Sequence, residues 1–335
     1  VIYEPKNNWS LSNLVADYGE AAVQEFYTYY PQLKSTAYDI ATINLDEALH
    51  DTDLVIVHEW NEHALVKAIG QKRRQHNFKL LFHDTHHRAV TERESMQAYD
   101  LTHYDGVLAF GNMIKEIYRK EGWTKKAWTW HEAADTRIFK PLAADQLEGD
   151  LVWVGNWGDN ERTKELHEFL IEPVKELGLK AKIYGVRYPD EAKKALADAG
   201  IEYGGWLPNF KAPEVFARYR MTVHVPRGPY VKALPGIPTI RPFEAMACAI
   251  PLLSAPWNDA EHLFHPGRDF QYVANKAEMK AWMQKVLSDD ALVEEMTASG
   301  LKTIGERHTC AHRVDELYQI CEELEVKNSK KPITI

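Results

Sequence analysis

Short apolar runs alternate with amphipathic stretches along this sequence, and that alternation limits the fold more than any other feature. LVIVHEW (54–60), KLLFHD (79–84), DGVLAFG (105–111) and KAWTWHEA (126–133) each read as a strand, with helices expected over 62–75, 90–98 and 112–121. The pattern resumes with DLVWVGN (150–156), KAKIYGV (180–186), IEYGGWL (201–207), MTVHVP (221–226), IPLLSAP (250–256) and FQYV (270–273). Helices are expected near 162–177, 190–199, 210–220, 241–249, 276–288 and 290–306. Strands that alternate with helices imply α/β architecture, with parallel sheets and crossover helices. The aromatic stretch 6–37 follows neither period cleanly, although helical pieces are expected in it.

A chain of 335 residues is too long for one average domain. FKPLAADQLEGD (139–150), with its proline, small residues and charges, reads as a linker. The expected division is a first Rossmann-like domain over 1–141, a linker at 142–149, a second domain over 150–308 and a terminal segment over 309–335. Within the last, CAHRVDELYQICEELEV (310–326) is an amphipathic helix and KNSKKPITI a frayed tail. VIYEP at the start reads as a strand already in progress, so a truncated N-terminus is expected.

The net charge of −9 argues against a nucleic-acid binder with a broad basic surface, yet it leaves room for a local basic pocket. Three cysteines, Cys248, Cys310 and Cys321, have no metal-type spacing and suit a reducing compartment. No apolar run approaches the roughly 20 residues of a membrane span, and no signal peptide is visible. A cytoplasmic protein is the expectation, with no indication of membrane association.

Several segments carry chemistry. In TIRPFEAMACAIPLLSAP (239–256) a loop leads into a helix rich in small residues and then a buried strand. Glu244 is expected in the helix's first turn, where the dipole favours a carboxylate. There it either accepts hydrogen bonds from a diol such as a ribose or simply stabilises the helix. The free N–H groups at the same helix start suit a phosphate. GNWGDNERTKE (155–165) follows a strand: Gly155 and Gly158 allow close backbone approach, Asn156 lies between them as a further candidate contact, and Arg162 stands where it can meet a diphosphate. The plain alternative is a tight strand–helix turn. Arg187 ends the next strand as a phosphate contact or a surface residue. VPRGPYVKALPGIPT (225–239) supplies Arg227 as a second phosphate contact and Gly236 as an exposed N–H, or is an insertion loop. In FHDTHHR (82–88), His83, Asp84, His86 and His87 gather at the carboxyl end of a strand, with His58 and Glu59 ending the strand before. Ligands bind along that edge in open α/β sheets. The group suits acid–base work on a sugar hydroxyl. A polar surface turn, a capping aspartate and a His/Asp metal site are the alternatives.

FEAMACAIPLLSA resembles the nucleotide-binding segment of glycosyltransferases with the two-Rossmann GT-B fold, as in family 4. WVGNWGDNERTKEL (153–166), YGVRYP (184–189), YGGWLPNFKAPEVFARYRMTVHVPRGPY (203–230) and GIPTIRPFEAMACAIPLLSAPW (236–257) resemble the CgeB-like, spore-maturation-type glycosyltransferases. The resemblance covers roughly 150–275 and is weaker over 54–141. It implies two doubly wound domains facing across a cleft, an acceptor-side domain first and a nucleotide-sugar donor domain second, with the terminal helix crossing back to the first. It implies a nucleoside-diphosphate sugar as donor, UDP by default, an unknown acceptor hydroxyl, retention slightly favoured over inversion, and no metal or other cofactor. By resemblance, Gly205, Trp206 and Leu207 touch the base, and Ile237, Thr239 and Glu244 belong to the nucleotide site. His83 matches a histidine that contacts the donor sugar, and with Asp84 and His58 it forms the expected catalytic group. Family 4 carries two glutamates separated by seven residues; Glu244 matches the second, but the first falls at Gly236. A sugar-nucleotide epimerase on the same fold and a non-enzymatic two-lobed sugar-binding protein remain the rival functions.

Overall fold

The computed structural model describes residues 1–324. The described chain divides into two compact units: Val1–His131 together with the described residues that follow Val314, and Glu132–Val314.

The first unit opens with β1 (Ile2–Pro5), α1 (Trp9–Tyr18), α2 (Ala21–Tyr29) and β2 (Ser35–Tyr38), the two strands pairing in parallel. Asn8 starts α1 by accepting the Leu11 N–H at 3.1 Å. Only Leu14 is buried in α1 and only Ala22 in α2. With so little apolar surface turned inward, neither helix shows a clear stripe in the sequence. After α3 (Leu45–Ala48) come β3 (Leu54–His58), α4 (His63–Lys72), β4 (Lys79–Asp84), α5 (Arg88–Thr91), α6 (Arg93–Gln97), β5 (Gly106–Ala109), α7 (Asn112–Lys120) and β6 (Ala127–Thr129). Strands β3 to β6 form a parallel sheet in chain order. Leu80, Leu81 and Phe82 of β4 are wholly buried, as expected of a parallel strand covered on both faces. Each contributes about 1.5–3 kcal/mol by leaving water.

The second unit contains β7 (Gly149–Val154), α8 (Thr163–Leu166), α9 (Glu172–Leu177), β8 (Ala181–Tyr184), α10 (Asp190–Asp198), β9 (Glu202–Tyr203), α11 (Ala212–Phe216), β10 (Tyr219–His224), α12 (Gly228–Lys232), α13 (Ile240–Ala247), β11 (Leu252–Ser254), β12 (Gln271–Tyr272), α14 (Lys276–Ser288) and α15 (Asp290–Arg307). Its parallel sheet has the order β12-β11-β10-β7-β8-β9. The chain runs outward from β7 through β8 and β9, then returns to β10 beside β7, so the topological switch point lies between β7 and β10. Leu151 and Trp153 face one core layer, Val152 and Val154 the other, the period-2 alternation of a strand.

Several expectations need correcting. The boundary at 141 and the linker at 142–149 fall inside the second unit. Ala134 and Phe139 pack in its core, and Ala134 bridges to Thr309. The helix expected over 162–177 is interrupted by a π-helical turn at His167–Ile171. Pro173 has no N–H to return to Phe169, and the helix widens just ahead of it. The loop 225–239 contains α12. A final helix, α16 (Cys310–Glu323), runs from the second unit into the first. There Ile320 packs with Leu81 and Leu108, and Trp128 Nε1 donates to Glu323 Oε2 at 2.8 Å. The expected tail at 327–335 lies outside the described residues. Among the described residues no helix is long and apolar enough to cross a membrane.

Candidate functional site

In the second unit the expected binding residues gather at the switch point, where ligands of open α/β sheets bind. The loop after β7 and the loop after β10 are fastened together. The Arg162 guanidinium donates to the Val225 carbonyl at 2.5 Å and to the Asn156 carbonyl at 2.5 Å, and Gly228 N–H reaches the Glu161 carbonyl at 3.0 Å. Arg227 lies 3.4 Å from Glu161 Oε2. Arg162 is therefore an anchor for both loops rather than a freely reaching side chain, and it is buried. Burial, and then the charge of Arg227, hold its pKa down at about 10. The Nε atoms of Arg162 and Arg227 lie 3.1 and 3.5 Å from the point where a side chain at Gly158 would begin. The two cations repel one another, Glu161 offsets part of that, and a diphosphate beside them would offset more.

The backbone around this point is unusual. Asp159, Asn160 and Arg187 all have positive φ (50°, 69° and 59°), and such outliers concentrate at functional sites. Arg187 projects outward and pairs with Asp159 at 3.2 Å. A Cβ on Gly185 would stand 2.0 Å from the Gly155 carbonyl oxygen, so only glycine fits between the ends of β7 and β8. The Asn156 side chain accepts the Val186 N–H at 3.1 Å. Gly205 returns its carbonyl to Gly185 N–H at 2.7 Å, Trp206 is half-buried, and Leu207 packs on the core layer of α13.

Glu244 is the fifth residue of α13, beyond the first turn where the dipole argument placed it. It is buried and already engaged: Asn209 Nδ2 donates to Oε1 at 2.7 Å, and Arg241 donates to Oε2 at 2.5 Å. Burial raises its pKa, against Arg241 and the Asn209 hydrogen bond. A second carboxyl, the half-buried Glu132, is pushed up to about 7 by desolvation and then by the charge of Glu244. Arg241 is legible three residues before Glu244, a helical-neighbour spacing; Asn209 and Glu132 carry no such signal. Thr239 stands at the N-cap of α13 without a capping side-chain bond, and Ile237 is buried. The expectation for Gly236 is overturned: its N–H is not exposed but donates to the Asn258 carbonyl at 2.7 Å. Its φ is 89°, and a Cβ there would meet Glu261 Cγ at 2.6 Å, so the side chain of Glu261 fills the space that a larger residue at 236 would need.

His224, which the sequence reading passed over, ends β10 beside this site. It is buried, and its Nδ1 lies 3.0 Å from Ser254 Oγ. Burial, then Arg162, push its pKa down to about 3. A groove of about 430 Å³ beside Leu142, Asp145, Glu148 and Arg218 opens at the amino ends of β7 and β10, away from these loops.

In the first unit, His58 and His83 are register partners at the ends of β3 and β4, their rings 5.3 Å apart. His58 Nδ1 accepts the Trp60 N–H at 3.3 Å, which leaves Nε2 to donate to Thr85 Oγ1 at 3.1 Å. Burial lowers the pKa of His58 to about 4, with Arg88 adding to it, and that of His83 to about 3, with His58 adding to it. Both are neutral near pH 7 and too weakly basic for efficient proton abstraction. They suit hydrogen bonding to a neutral hydroxyl. Asp84 does not join the histidines as an accessible acid–base group; it takes the part of the capping aspartate. It is wholly buried and accepts from the His86 N–H at 3.0 Å and the Tyr118 hydroxyl at 2.9 Å. Burial raises its pKa to about 6. Its part is to hold the turn after β4. Glu59 is likewise buried and paired with Arg88. His86 and His87 stack with ring centres 4.0 Å apart, and His87 is buried. Among the described residues no group of three His, Cys, Asp or Glu side chains is placed to hold a metal ion.

Residues 162–319 match the family model of glycosyl transferase-like proteins. No curated protein matches the chain. Among solved structures the chain is similar to a glycosyltransferase from Rickettsia africae ESF-5, at 12% identity and a TM-score of 0.66, over 93% of this chain and 89% of that one. It is similar to the DNA-modifying β-glucosyltransferase of phage T4, solved with and without uridine diphosphoglucose, at 16% identity and a TM-score of 0.60, over 92% and 94%. It is also similar to a sucrose-phosphate synthase from Thermosynechococcus elongatus, at 14% identity and a TM-score of 0.59, over 81% and 73%. The fold is GT-B. At these identities the likeness speaks for the fold alone.

Proposed function

We propose that this chain is a glycosyltransferase that takes sugar from a nucleoside-diphosphate sugar and passes it to an acceptor hydroxyl. The observation that carries the reading is the convergence of Arg162 and Arg227 over Gly158 at the switch point, at the start of the segment that matches glycosyl transferase-like proteins. In the reaction the acceptor oxygen bonds to the anomeric carbon as the bond from that carbon to the diphosphate breaks, and the hydroxyl's proton passes to the departing diphosphate. The diphosphate leaves with the electron pair. Fixed cations stabilise that charge where it develops. UDP is the favoured nucleotide, since the similar T4 enzyme is solved with UDP and with UDP-glucose as its substrate. His83 and His58 are assigned to holding sugar hydroxyls. Retention is slightly favoured by the resemblance to family 4; the lowered pKa values argue only that neither histidine is the base that deprotonates the acceptor. The CgeB-like resemblance and a cytoplasmic setting complete the reading; the three unpaired cysteines fit a reducing compartment.

Calorimetry with UDP and UDP-sugars tests the nucleotide site. Glu244→Ala should weaken binding roughly 10-fold or more, the loss of a charge-assisted hydrogen bond of about 1.5–3 kcal/mol. Unchanged affinity in a variant that remains folded at the assay temperature removes Glu244 from the site. If the protein incubated with donor alone yields an epimerised nucleotide sugar, the transferase reading fails.

We further propose that turnover survives chelation, because Arg162 and Arg227 already bring positive charge to the diphosphate's place. One structure of the T4 enzyme holds UDP with Mn²⁺, which makes the experiment a necessary one. Activity abolished by EDTA and restored by manganese would show that a metal supplies the charge instead.

A further inference from the structure

We propose that Trp60 is a stacking platform for a pyranose ring of a substrate, an assignment that rests on the transferase reading only for which substrate carries the ring. Trp60 follows Glu59 just beyond β3, on the carboxyl edge of the first unit's sheet, and is 61% exposed. A single exposed indole usually means nothing. This one is held. The Arg88 guanidinium lies 4.2 Å from the ring centre and covers one face. Arg88 is itself locked: it pairs with the fully buried Glu59 carboxylate and donates to the Glu59 carbonyl at 2.7 Å. The Tyr99 hydroxyl fixes that same carbonyl at 2.5 Å. The His86 ring stands at a steep angle to the indole, centres 5.1 Å apart.

A buried carboxylate is costly unless it is paired and hydrogen-bonded, and here its pairing immobilises an arginine against a surface tryptophan. The result is a rigid indole with one face turned to solvent. Such a ring loses little conformational freedom on binding. Its negative π face attracts the slightly positive C–H groups of a sugar's apolar face. Thr85 lies close by, joined to His58 and 3.5 Å from Glu59 Oε1, so hydroxyl-binding groups sit beside the apolar platform. A pyranose, apolar on its faces and polar around its rim, has the matching chemistry.

The probes are maltotriose, cellotriose, chitotriose, UDP and UDP-glucose, followed by the Trp60 indole N–H resonance of the full chain. That resonance is identified by its loss in Trp60→Tyr. An acceptor sugar on the platform gives a shift with a free trisaccharide; a donor sugar gives one with UDP-glucose and not with UDP. Either result supports the platform. Trp60→Ala should weaken the responsible ligand's sugar-dependent binding roughly tenfold or more, on the scale of an aromatic hot spot, while Trp60→Tyr keeps most of it. The proposal is overturned if no sugar ligand moves the resonance at millimolar concentration. It is also overturned if UDP alone moves it as far as UDP-glucose, or if Trp60→Ala binds like wild type. UDP affinity, measured on the same samples, reports separately on the nucleotide site: wild-type protein that binds trisaccharide but no UDP contradicts the nucleotide reading and leaves the platform standing.

Discussion

Replacing Arg88 by alanine should destabilise the first unit by about 3–5 kcal/mol, the usual consequence of removing one partner from a buried ion pair. Glu59 is wholly buried, and Arg88 is ion-paired with its carboxylate. Arg88 also donates to the Glu59 carbonyl at 2.7 Å. Without the guanidinium, the carboxylate must either take up a proton or remain charged out of water, and both are unfavourable at neutral pH. Urea unfolding followed by circular dichroism measures the loss. Arg88→Lys should recover only part of it, because an ammonium cannot reproduce the planar fork of donors. The double variant Glu59→Leu with Arg88→Met should recover more than Arg88→Ala, since no orphaned charge is left behind. A loss below about 1 kcal/mol in Arg88→Ala, the range of exposed pairs, would mean that solvent reaches Glu59 and that the pair does not hold the edge of the sheet.

His83→Ala should lower kcat about 100-fold while leaving UDP affinity within a factor of two or so, because misplacing a reacting group by about an ångström has an effect of that size. The imidazole is neutral at pH 7, wedged between His58 and the Trp130 ring, whose centre is 4.9 Å away. It acts in this reading as a fixed hydrogen-bonding group. Burial keeps its pKa near 3, so its protonation should add no inflection to the pH–rate profile between pH 5 and 8. Steady-state kinetics and nucleotide calorimetry on one preparation separate the possibilities. Wild-type kcat at low temperature with a lower melting point would make His83 a packing residue only. Asp84, placed beside it by the sequence, belongs with the structural groups, since its carboxylate is spent on Tyr118 and the turn at His86.

Much of this arrangement is legible in the sequence. The runs at 54–60, 79–84 and 150–156 predicted β3, β4 and β7 to within a few residues because buried parallel strands are nearly continuous apolar segments. The helices α14 and α15 were equally plain, each opened by an N-capping side chain, Asn275 and Asp289. The segment 6–37 was not legible: α1 and α2 are largely exposed and lack an apolar stripe, and only α1 has a capping side chain, Asn8, to mark its start.

By itself the sequence determined the α/β class, the parallel strands and which loops lie at their carboxyl ends, because periodicity and glycine-rich turns are local properties of the chain. Only the tertiary structure decided what the polar groups in those loops do. Arg162 became a brace because Val225, 63 residues on, brings a carbonyl to it. Gly236 lost its free N–H to Asn258. Glu244 acquired Asn209, 35 residues away, as a partner. Glu59 and Arg88, 29 residues apart, fixed Trp60 against solvent. Desolvation and pairing depend on which distant segments meet, and a side chain's charge, reach and freedom follow from that meeting rather than from its neighbours in the chain.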